Sequence, residues 1–271
     1  MKFTFLSISF WLMMLPVCVA QPEEESTNPY KINKKRDLTI LGAGAVVNAV
    51  GFYIITSKDR LTPEQALAAD KQNIPKFDRW SAGYYNPDAK LASDFLAYGS
   101  LTFPLILLAD PKVREHKVPV YMMYLQTMAI EDAQFIFTAG LTNRKRPLVY
   151  GEQVPMEERT AKPNQNSFFA GHTAATAASC MFTAKIFNDF NPDSPWKPVV
   201  WGAAFAIPAT VGYLRLEAGK HFLSDNLVGL TIGSLTGILV PEFHRKREKP
   251  ARLMMVPVYS PYKGVNLSYM L

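Results

Sequence analysis

The stretch Tyr213–Gly229 reads YLRLEAGKHFLSDNLVG and joins the end of one apolar segment to the start of the next. Within it, His221 and Asp225 are four residues apart, so on a helix both side chains lie on one face. A carboxylate there can hold one imidazole nitrogen and leave the other free to act as a nucleophile. Arg215 carries a permanent charge and a planar fork of donors that suits a phosphate group. The stretch therefore predicts an anion site at the junction of two helices.

Two earlier segments carry complementary chemistry. Asn143–Pro147 (NRKRP) follows the third predicted helix and supplies Arg146 as a second guanidinium group. Ser167–Thr173 (SFFAGHT) opens the fourth predicted helix, with Gly171 directly before His172. Backbone N–H groups at a helix start favour anions, and a histidine there can protonate a leaving oxygen. The three segments together predict phosphoryl transfer through a phosphohistidine, a chemistry that requires no metal and no other cofactor.

The chain around these segments is helical by pattern. Gly and Ala are frequent in the last three helices, which permits close packing of helices in a membrane bundle. Glu131, Asp132 and Lys185 fall inside predicted helices and must face the bundle interior or water. We therefore expect an all-α, six-helix bundle that is mostly embedded in a membrane; a soluble or surface-bound bundle is the alternative. The predicted helices span about residues 38–55, 91–109, 119–140, 170–187, 197–213 and 221–241, and the first and last are the most convincing membrane spans.

The first twenty residues have the pattern of an export signal. Lys2 gives a positive start, residues 5–17 form an apolar segment, and Cys18-Val19-Ala20 precede a possible cut at Gln21. An uncleaved first membrane anchor is the other interpretation. After cleavage Cys180 would be the only cysteine, so no intrachain disulfide could form.

The remaining chain divides into three regions. Residues 21–90 form an N-terminal segment with the first helix and an aromatic loop, and residues 91–241 form the phosphatase core. Residues 242–271 contain a basic helix stop and a tail. In that tail, Leu253–Tyr259 and Val265–Leu271 have strand-like composition and predict a short C-terminal β-hairpin.

The net charge of the chain restricts the class of binding partner only slightly. The chain has 29 Lys and Arg against 23 Asp and Glu, a net charge of +6, which suits anionic lipid or an anionic substrate. No zinc-ligand spacing, interleaved aromatic and basic motif or basic stripe is present, so a nucleic-acid partner is not expected.

The three segments resemble the motifs of the type 2 phosphatidic acid phosphatase (PAP2) family, which shares its helical core with class A acid phosphatases and vanadium haloperoxidases. The family pattern has three parts: a Lys separated by six residues from Arg-Pro, then Pro-Ser-Gly-His, then Ser-Arg followed by His and Asp. The matching residues are Arg146-Pro147, Gly171-His172, and Arg215, His221 and Asp225. The resemblance covers roughly Ser93 to Pro241. It implies a phospho-His221 intermediate, His172 as the proton donor, and lipid phosphates or diphosphates as substrates.

The chain departs from the family pattern at three positions. The motif Lys falls on Ala139, the Ser before Gly-His on Ala170, and the Ser before Arg on Leu214. Loss of one such donor could reduce the rate on the order of 10²-fold. Lys145, a candidate phosphate ligand, and also Arg144 and Lys220 are candidate replacements for the missing lysine.

Three functional hypotheses follow. The leading one is an exported phosphatase of the cell envelope membrane that acts on a lipid phosphate, with its site on the periplasmic or outer face. The second is a catalytically impaired PAP2-like membrane protein that binds lipid or a partner. The third is a vanadate-dependent haloperoxidase, which is disfavoured because that use needs a complete set of anion donors.

Overall fold

The structure is a computed structural model that describes residues 28–246 and the backbone of residues 252–260 and 262–270. The predicted signal, residues 1–20, lies outside the described residues. Residues 28–246 are helical, as predicted, although they form ten α-helices rather than six. The helices are α1 Lys34–Thr56, α2 Pro63–Leu67, α3 Lys76–Arg79, α4 Pro87–Ser100, α5 Pro111–Glu115, α6 Lys117–Leu141, α7 Met156–Arg159, α8 Gly171–Phe190, α9 Lys197–Glu217 and α10 Leu223–His244. Short 3-10 helices span Lys71–Asn73, Phe103–Ala109, Pro147–Tyr150 and Lys162–Gln165.

The start of α4 differs from the sequence prediction, which placed it near residue 91. The side chain of Asn86 caps the helix by accepting backbone N–H groups, and Pro87 occupies the first helical position. Ser93 lies in the buried interior of the helix, where its hydroxyl donates to the carbonyl of Lys90. The earlier start adds a turn to α4, and that turn carries Lys90 to the mouth of the site described below.

Helix α8 lies at the centre of the long-helix bundle. It packs against α4, α6, α9 and α10, while α1 packs on the outside of α6. Consistent with this position, fourteen of the twenty residues of α8 are buried. Its N-terminus is thereby held among the ends of several helices.

The contact between α8 and α10 depends on residues without side-chain bulk. Three glycines spaced four apart on α10 face backbone carbonyl groups spaced four apart on α8. A Cβ atom added at these glycines would lie 2.6, 2.1 and 2.4 Å from the facing carbonyl oxygens. The pairs are Gly229 with Ala170, Gly233 with Ala174, and Gly237 with Ala178. Any larger residue would therefore push the two helices apart.

The N-terminal end of the described chain is fastened to the end of α10. The backbone N–H of Lys31 donates to the carbonyl of His244 at 2.8 Å, and that of Lys246 donates to the carbonyl of Pro29 at 2.8 Å. The hydroxyl of Tyr30 donates to Asp189, near the end of α8, at 2.8 Å. Residues 28–33 therefore lie at the opposite end of the bundle from the junction between α9 and α10.

Within the described residues, four segments are long and apolar enough to cross a membrane: Lys34–Thr56, Pro87–Ala109, Lys197–Glu217 and Leu223–His244. These include the first and last helices, as the sequence indicated, and two more. The charged residues inside other helices are accommodated in different ways. Glu131 and Lys185 are both buried. Lys185 forms ion pairs with Asp189 at 2.6 Å and with Glu242 at 2.7 Å. Asp132 is exposed.

The C-terminal tail contains two strands, β1 Arg252–Ser260 and β2 Tyr262–Met270, which pair antiparallel from Arg252 opposite Met270 to Ser260 opposite Tyr262. The connecting residue 261 lies outside the described residues, so the hairpin turn stays a prediction.

We predict that Gly233→Ala destabilises the fold by about 1–3 kcal/mol, since the new Cβ would meet the carbonyl of Ala174. The matched control is Gly202→Ala on α9, where nothing lies within 4 Å of the added Cβ. The control should be neutral or slightly stabilising, because Ala favours a helix over Gly. Thermal unfolding in detergent measures both, and equal melting temperatures would contradict the packing argument.

Candidate active site

The three sequence segments meet at one end of the bundle. Backbone hydrogen bonds join them directly: Leu148 N–H donates to the carbonyl of Gly219 at 3.0 Å, and Ala170 N–H donates to the carbonyl of Asp225 at 3.1 Å. Arg146 N–H donates to the carbonyl of Asn164 at 2.9 Å, which fixes the start of the 3-10 turn. Residues distant in the chain thus surround one small region at the tips of α8, α9 and α10.

His221 is buried and held in one tautomer. Its Nδ1 lies 2.7 Å from the carbonyl oxygen of Ser167. Because a carbonyl can only accept, Nδ1 must carry the hydrogen, and Nε2 keeps its lone pair. Burial, and then the charges of Arg146 and Arg215, hold the pKa of His221 well below its ordinary value. The ring is therefore a neutral imidazole with Nε2 available for attack.

Asp225 does not orient His221 in the way the sequence predicted. Its carboxylate accepts from Ser167 Oγ at 2.7 Å and from the backbone N–H of Phe222 at 2.9 Å. Asp225 thus acts indirectly, by holding the residue whose carbonyl oxygen holds His221. The prediction assumed that both residues are helical, but α10 begins at Leu223, so His221 lies in the preceding turn and the one-face rule does not apply.

Arg144 belongs to the supporting structure and not to the set of free cations. Its guanidinium pairs with Asp225 and, at 2.6 Å, with Asp78, and it lies 4.7 Å above the ring of Phe222. Asp78 in turn accepts from the backbone N–H and the hydroxyl of Ser224, at 2.9 and 2.6 Å. Sequence reasoning missed Asp78, since nothing in its local sequence connects it to a helix start 146 residues later.

Lys145, the tentative phosphate ligand, is directed elsewhere. Its ammonium group donates to the carbonyl of Gln65 at 3.0 Å, in an exposed position. The sequence placed Lys145 near Arg146 on spacing alone. In the structure the backbone on both sides of Lys145 is fixed, since the carbonyl of Arg144 accepts from the N–H of Ser167 and the N–H of Arg146 donates to the carbonyl of Asn164. The side chain of Lys145 is therefore directed toward Gln65 and not toward Arg215 and His221.

His172 is the second residue of α8 and is partly exposed, at 29% of its side-chain surface. Its Nε2 lies 3.4 Å from the carboxylate of Asp94, and its ring meets that of Tyr98 edge-on. Burial and then Arg215 lower the pKa of His172 to about 3, while Asp94 acts in the opposite direction. A bound phosphate dianion would also raise the pKa, which favours the protonated form when substrate is present.

Arg215 and Asp94 form an ion pair that the sequence did not predict. Arg215 donates from Nη1 to Asp94 at 2.6 Å and to Ser93 Oγ at 3.3 Å. Asp94 also accepts from Lys90 at 2.9 Å. A signal for Asp94 existed, because it is the only charged residue in the apolar segment 91–109, and such residues are commonly functional.

Two buried side-chain donors in this region have no acceptor among the residues that the structure describes. Among the described residues, the buried Nε atoms of Arg146 and Arg215 have no hydrogen-bond partner. Burial and the charge of Arg215 lower the pKa of Arg146 to about 9. Buried donors without acceptors are costly, so this arrangement suits a bound anion.

The start of α8 adds uncapped backbone donors. Ala170 precedes the helix and gives no side-chain cap, so the first-turn N–H groups are not satisfied in that way. A Cβ atom on Gly171 would lie 2.7 Å from the ring of Phe135, which explains why glycine fits there. Gly171 thus allows the helix start to sit close to its neighbours, where its N–H groups favour an anion.

A groove of about 160 Å³ adjoins the site on the side of His172. It lies among α4, α6 and α8. Its lining is mostly apolar and comprises Ala97, Tyr98, Leu101, Glu131, Asp132, Phe135, Gly171, His172 and Ala175. A group leaving from the site beside His172 would have room there.

Comparison with known families matches residues 120–249 to the PAP2 superfamily. The match includes all three sequence segments and begins inside α6, so α1 and α4 lie before it. Comparison with curated proteins found no match, and neither did comparison with solved structures.

The turn before His221 yields one prediction. Gly219 has φ +68°, and a Cβ there would lie 1.8 Å from the carbonyl oxygen of Tyr84. We expect Gly219→Ala to displace the turn and reduce phosphate release at least about 10²-fold, comparable to the loss of a positioned donor. Gly99→Ala, with open space around its Cβ, is the control. Wild-type turnover in Gly219→Ala would refute the claim that this turn positions the nucleophile.

The pair formed by His172 and Asp94 yields a second prediction, which concerns the pH dependence of kcat. Asp94 raises the pKa of His172, so Asp94→Asn should lower that pKa and reduce the protonated fraction at a given pH. The basic limb of the kcat profile for an alkyl phosphate should therefore move to lower pH. The basic limb of the kcat profile for p-nitrophenyl phosphate should move less, because the leaving group of this substrate needs little protonation. An equal loss of kcat on both substrates, with no shift of the basic limb, would mean that Asp94 acts only through Arg215.

Proposed function

The chain belongs to the PAP2 superfamily through residues 120–249, and from that premise we propose that it is a phosphatase hydrolysing lipid phosphate or diphosphate esters through phospho-His221. A phosphatase-type function is what membership of this superfamily indicates. The observation that carries the finer proposal is a neutral His221 with a free Nε2 beside two guanidinium groups, of Arg146 and Arg215, whose buried Nε atoms have no acceptor among the described residues.

The proposed reaction has two balanced steps. In the first, Nε2 of His221 forms a bond to phosphorus while the bond to the leaving oxygen breaks, and His172 gives that oxygen a proton. In the second, water attacks phosphorus, the P–N bond breaks, and His172 takes up a proton from the water. The products are inorganic phosphate and, from a phosphate ester, an alcohol or, from a diphosphate ester, the corresponding monophosphate ester. The hydrogen bond from His221 Nδ1–H to Ser167 stabilises the positive ring of the intermediate.

Two observations support a lipid as the substrate. Four segments are apolar enough to cross a membrane, and one of them contains α4, whose outer surface exposes Leu91 and Phe95. The groove beside His172 is mostly apolar and lies where the leaving alcohol would extend from the phosphate. A hydrocarbon chain placed there would remain in contact with apolar side chains.

The side of the membrane that the site faces depends on the N-terminus. Residues 28–33 lie at the end opposite the site, so a chain exported from residue 21 whose α1 crosses once would place the site on the inner side. Export by a cleaved signal and an outward-facing site therefore exclude each other if α1 spans the membrane.

We place the site on the periplasmic or outer face of the cell envelope membrane. Basic residues directly flank the other end, with Lys34, Lys35 and Arg36 at the start of α1 and Arg245 and Lys246 after α10, and such flanks favour the cytoplasmic side. Single cysteines at Ser57 and Lys31, tested with a membrane-impermeant maleimide in intact cells, decide between the orientations. Labelling at position 31 alone would reverse our assignment.

The alternative function is binding without catalysis. Ala139 and Ala170 are both fully buried and supply no donor, which is the observation in its favour. In that case the purified protein would retain phosphate or vanadate without turning over any ester.

The direct test measures phosphate release from phosphatidate, phosphatidylglycerophosphate and undecaprenyl diphosphate. We expect His221→Ala to abolish release and His172→Ala to reduce it about 10²- to 10⁴-fold, the range for general acid catalysis. Labelled substrate should leave an acid-labile phosphohistidine in wild type only. His116→Ala, at the other end of the bundle, is the control. Equal release by wild type and His221→Ala would reject the assignment.

A further inference from the structure

The missing motif lysine raises the question of which cation replaces it, and three nearby cations are already engaged. Arg144 pairs with two carboxylates, and Lys145 donates to a loop carbonyl. Lys58, at the end of α1, donates to the carbonyls of Ala139 and Thr142 and to the side-chain oxygen of Asn166. These interactions use all the donors of the Lys58 ammonium group, so it supports the end of α6.

Lys220 differs from all three. It is only 7% exposed, and among the described residues its ammonium group makes no hydrogen bond and no ion pair. Its backbone is fixed, because the N–H groups of Lys220 and His221 both donate to the carbonyl of Arg215, at 3.0 and 3.3 Å. Lys220 is therefore held next to the nucleophile without a partner of its own.

The charges around Lys220 are mainly of its own sign. Burial, and then the charge of Arg146, lower the pKa of Lys220 to about 8, and Arg215 acts in the same direction. A buried cation beside two guanidinium groups is unfavourable unless an anion compensates it. Glu158 acts in the opposite direction on the pKa of Lys220 but forms no ion pair with it among the described residues, and Asp94 already pairs with Arg215, so an anion from outside the protein would balance this charge.

We propose that Lys220 contacts the phosphoryl oxygens and takes the role that the lysine at the position of Ala139 has in the family pattern. This inference rests on the proposed function. A phosphoryl group in transfer carries charge on three oxygens, and Arg146, Arg215 and Lys220 would supply three cations for them. The turn fixed by Gly219 places Lys220 and His221 together, so nucleophile and cation are positioned by the same backbone.

The test compares Lys220→Met, Lys220→Arg and the exposed-lysine control Lys76→Met. We expect Lys220→Met to lower kcat/KM and weaken inhibition by orthovanadate, each on the order of 10²-fold, as for a lost oxyanion donor. Lys220→Arg should retain most activity, and Lys76→Met should match wild type. Ala139→Lys added to Lys220→Met should restore part of the vanadate affinity.

A pH profile of kcat/KM distinguishes direct contact between Lys220 and the phosphoryl group from a purely structural role of Lys220. In wild type, kcat/KM should fall as pH rises through about 8, where Lys220 loses its charge in the free enzyme. This limb should disappear in Lys220→Arg, because arginine stays charged. A folded Lys220→Met with wild-type turnover and vanadate affinity would overturn the inference.

The two proposals fail separately. Loss of vanadate binding in Lys220→Met of a protein that turns over no ester would support the role of Lys220 and reject the phosphatase. Normal turnover in both wild type and Lys220→Met would support the phosphatase and reject the role of Lys220.

Discussion

Uncompensated positive charge at the tips of three helices is the constraint on which the rest of this structure depends. Arg146, Arg215 and Lys220 are gathered there, and within residues 28–246 Asp94 is the carboxylate that forms an ion pair with one of them, Arg215. Two further carboxylates near the site, Asp78 and Asp225, pair with Arg144 instead. This distribution separates a neutralised supporting network from a cationic hollow. The hollow suits a phosphate dianion, which would supply the missing negative charge.

The proposed nucleophile, His221, is positioned by the backbone. A carbonyl oxygen accepts from His221, and Asp225 fixes the segment that bears this carbonyl by accepting from the hydroxyl of the same residue, Ser167. A backbone acceptor sets the tautomer as firmly as a carboxylate would, but it adds no full negative charge beside the ring. Together with Arg146 and Arg215, this arrangement keeps the imidazole neutral, as the proposed attack on phosphorus requires.

The position of the helix tips follows from the packing below them. The three glycines of α10 let it approach the carbonyl groups of α8, and this contact sets the distance between His172 and the turn that bears His221. Helix α4 completes the site from the other side by presenting Asp94 to both His172 and Arg215. The packing of the helices therefore determines the geometry of the site.

The sequence by itself determined the helical class, the three segments and the residue types at their centre, because motif spacing and hydrophobic pattern are local properties. Only the tertiary structure decided the partners. Asp94 meets Arg215 across 121 residues and Asp78 meets Ser224 across 146, distances over which sequence carries no geometric information. Local rules also failed where a helix began later than its pattern suggested, as at His221 and Asp225. Whether a cation such as Lys145 or Lys220 faces the anion depends on the path of a loop, which long-range backbone hydrogen bonds fix.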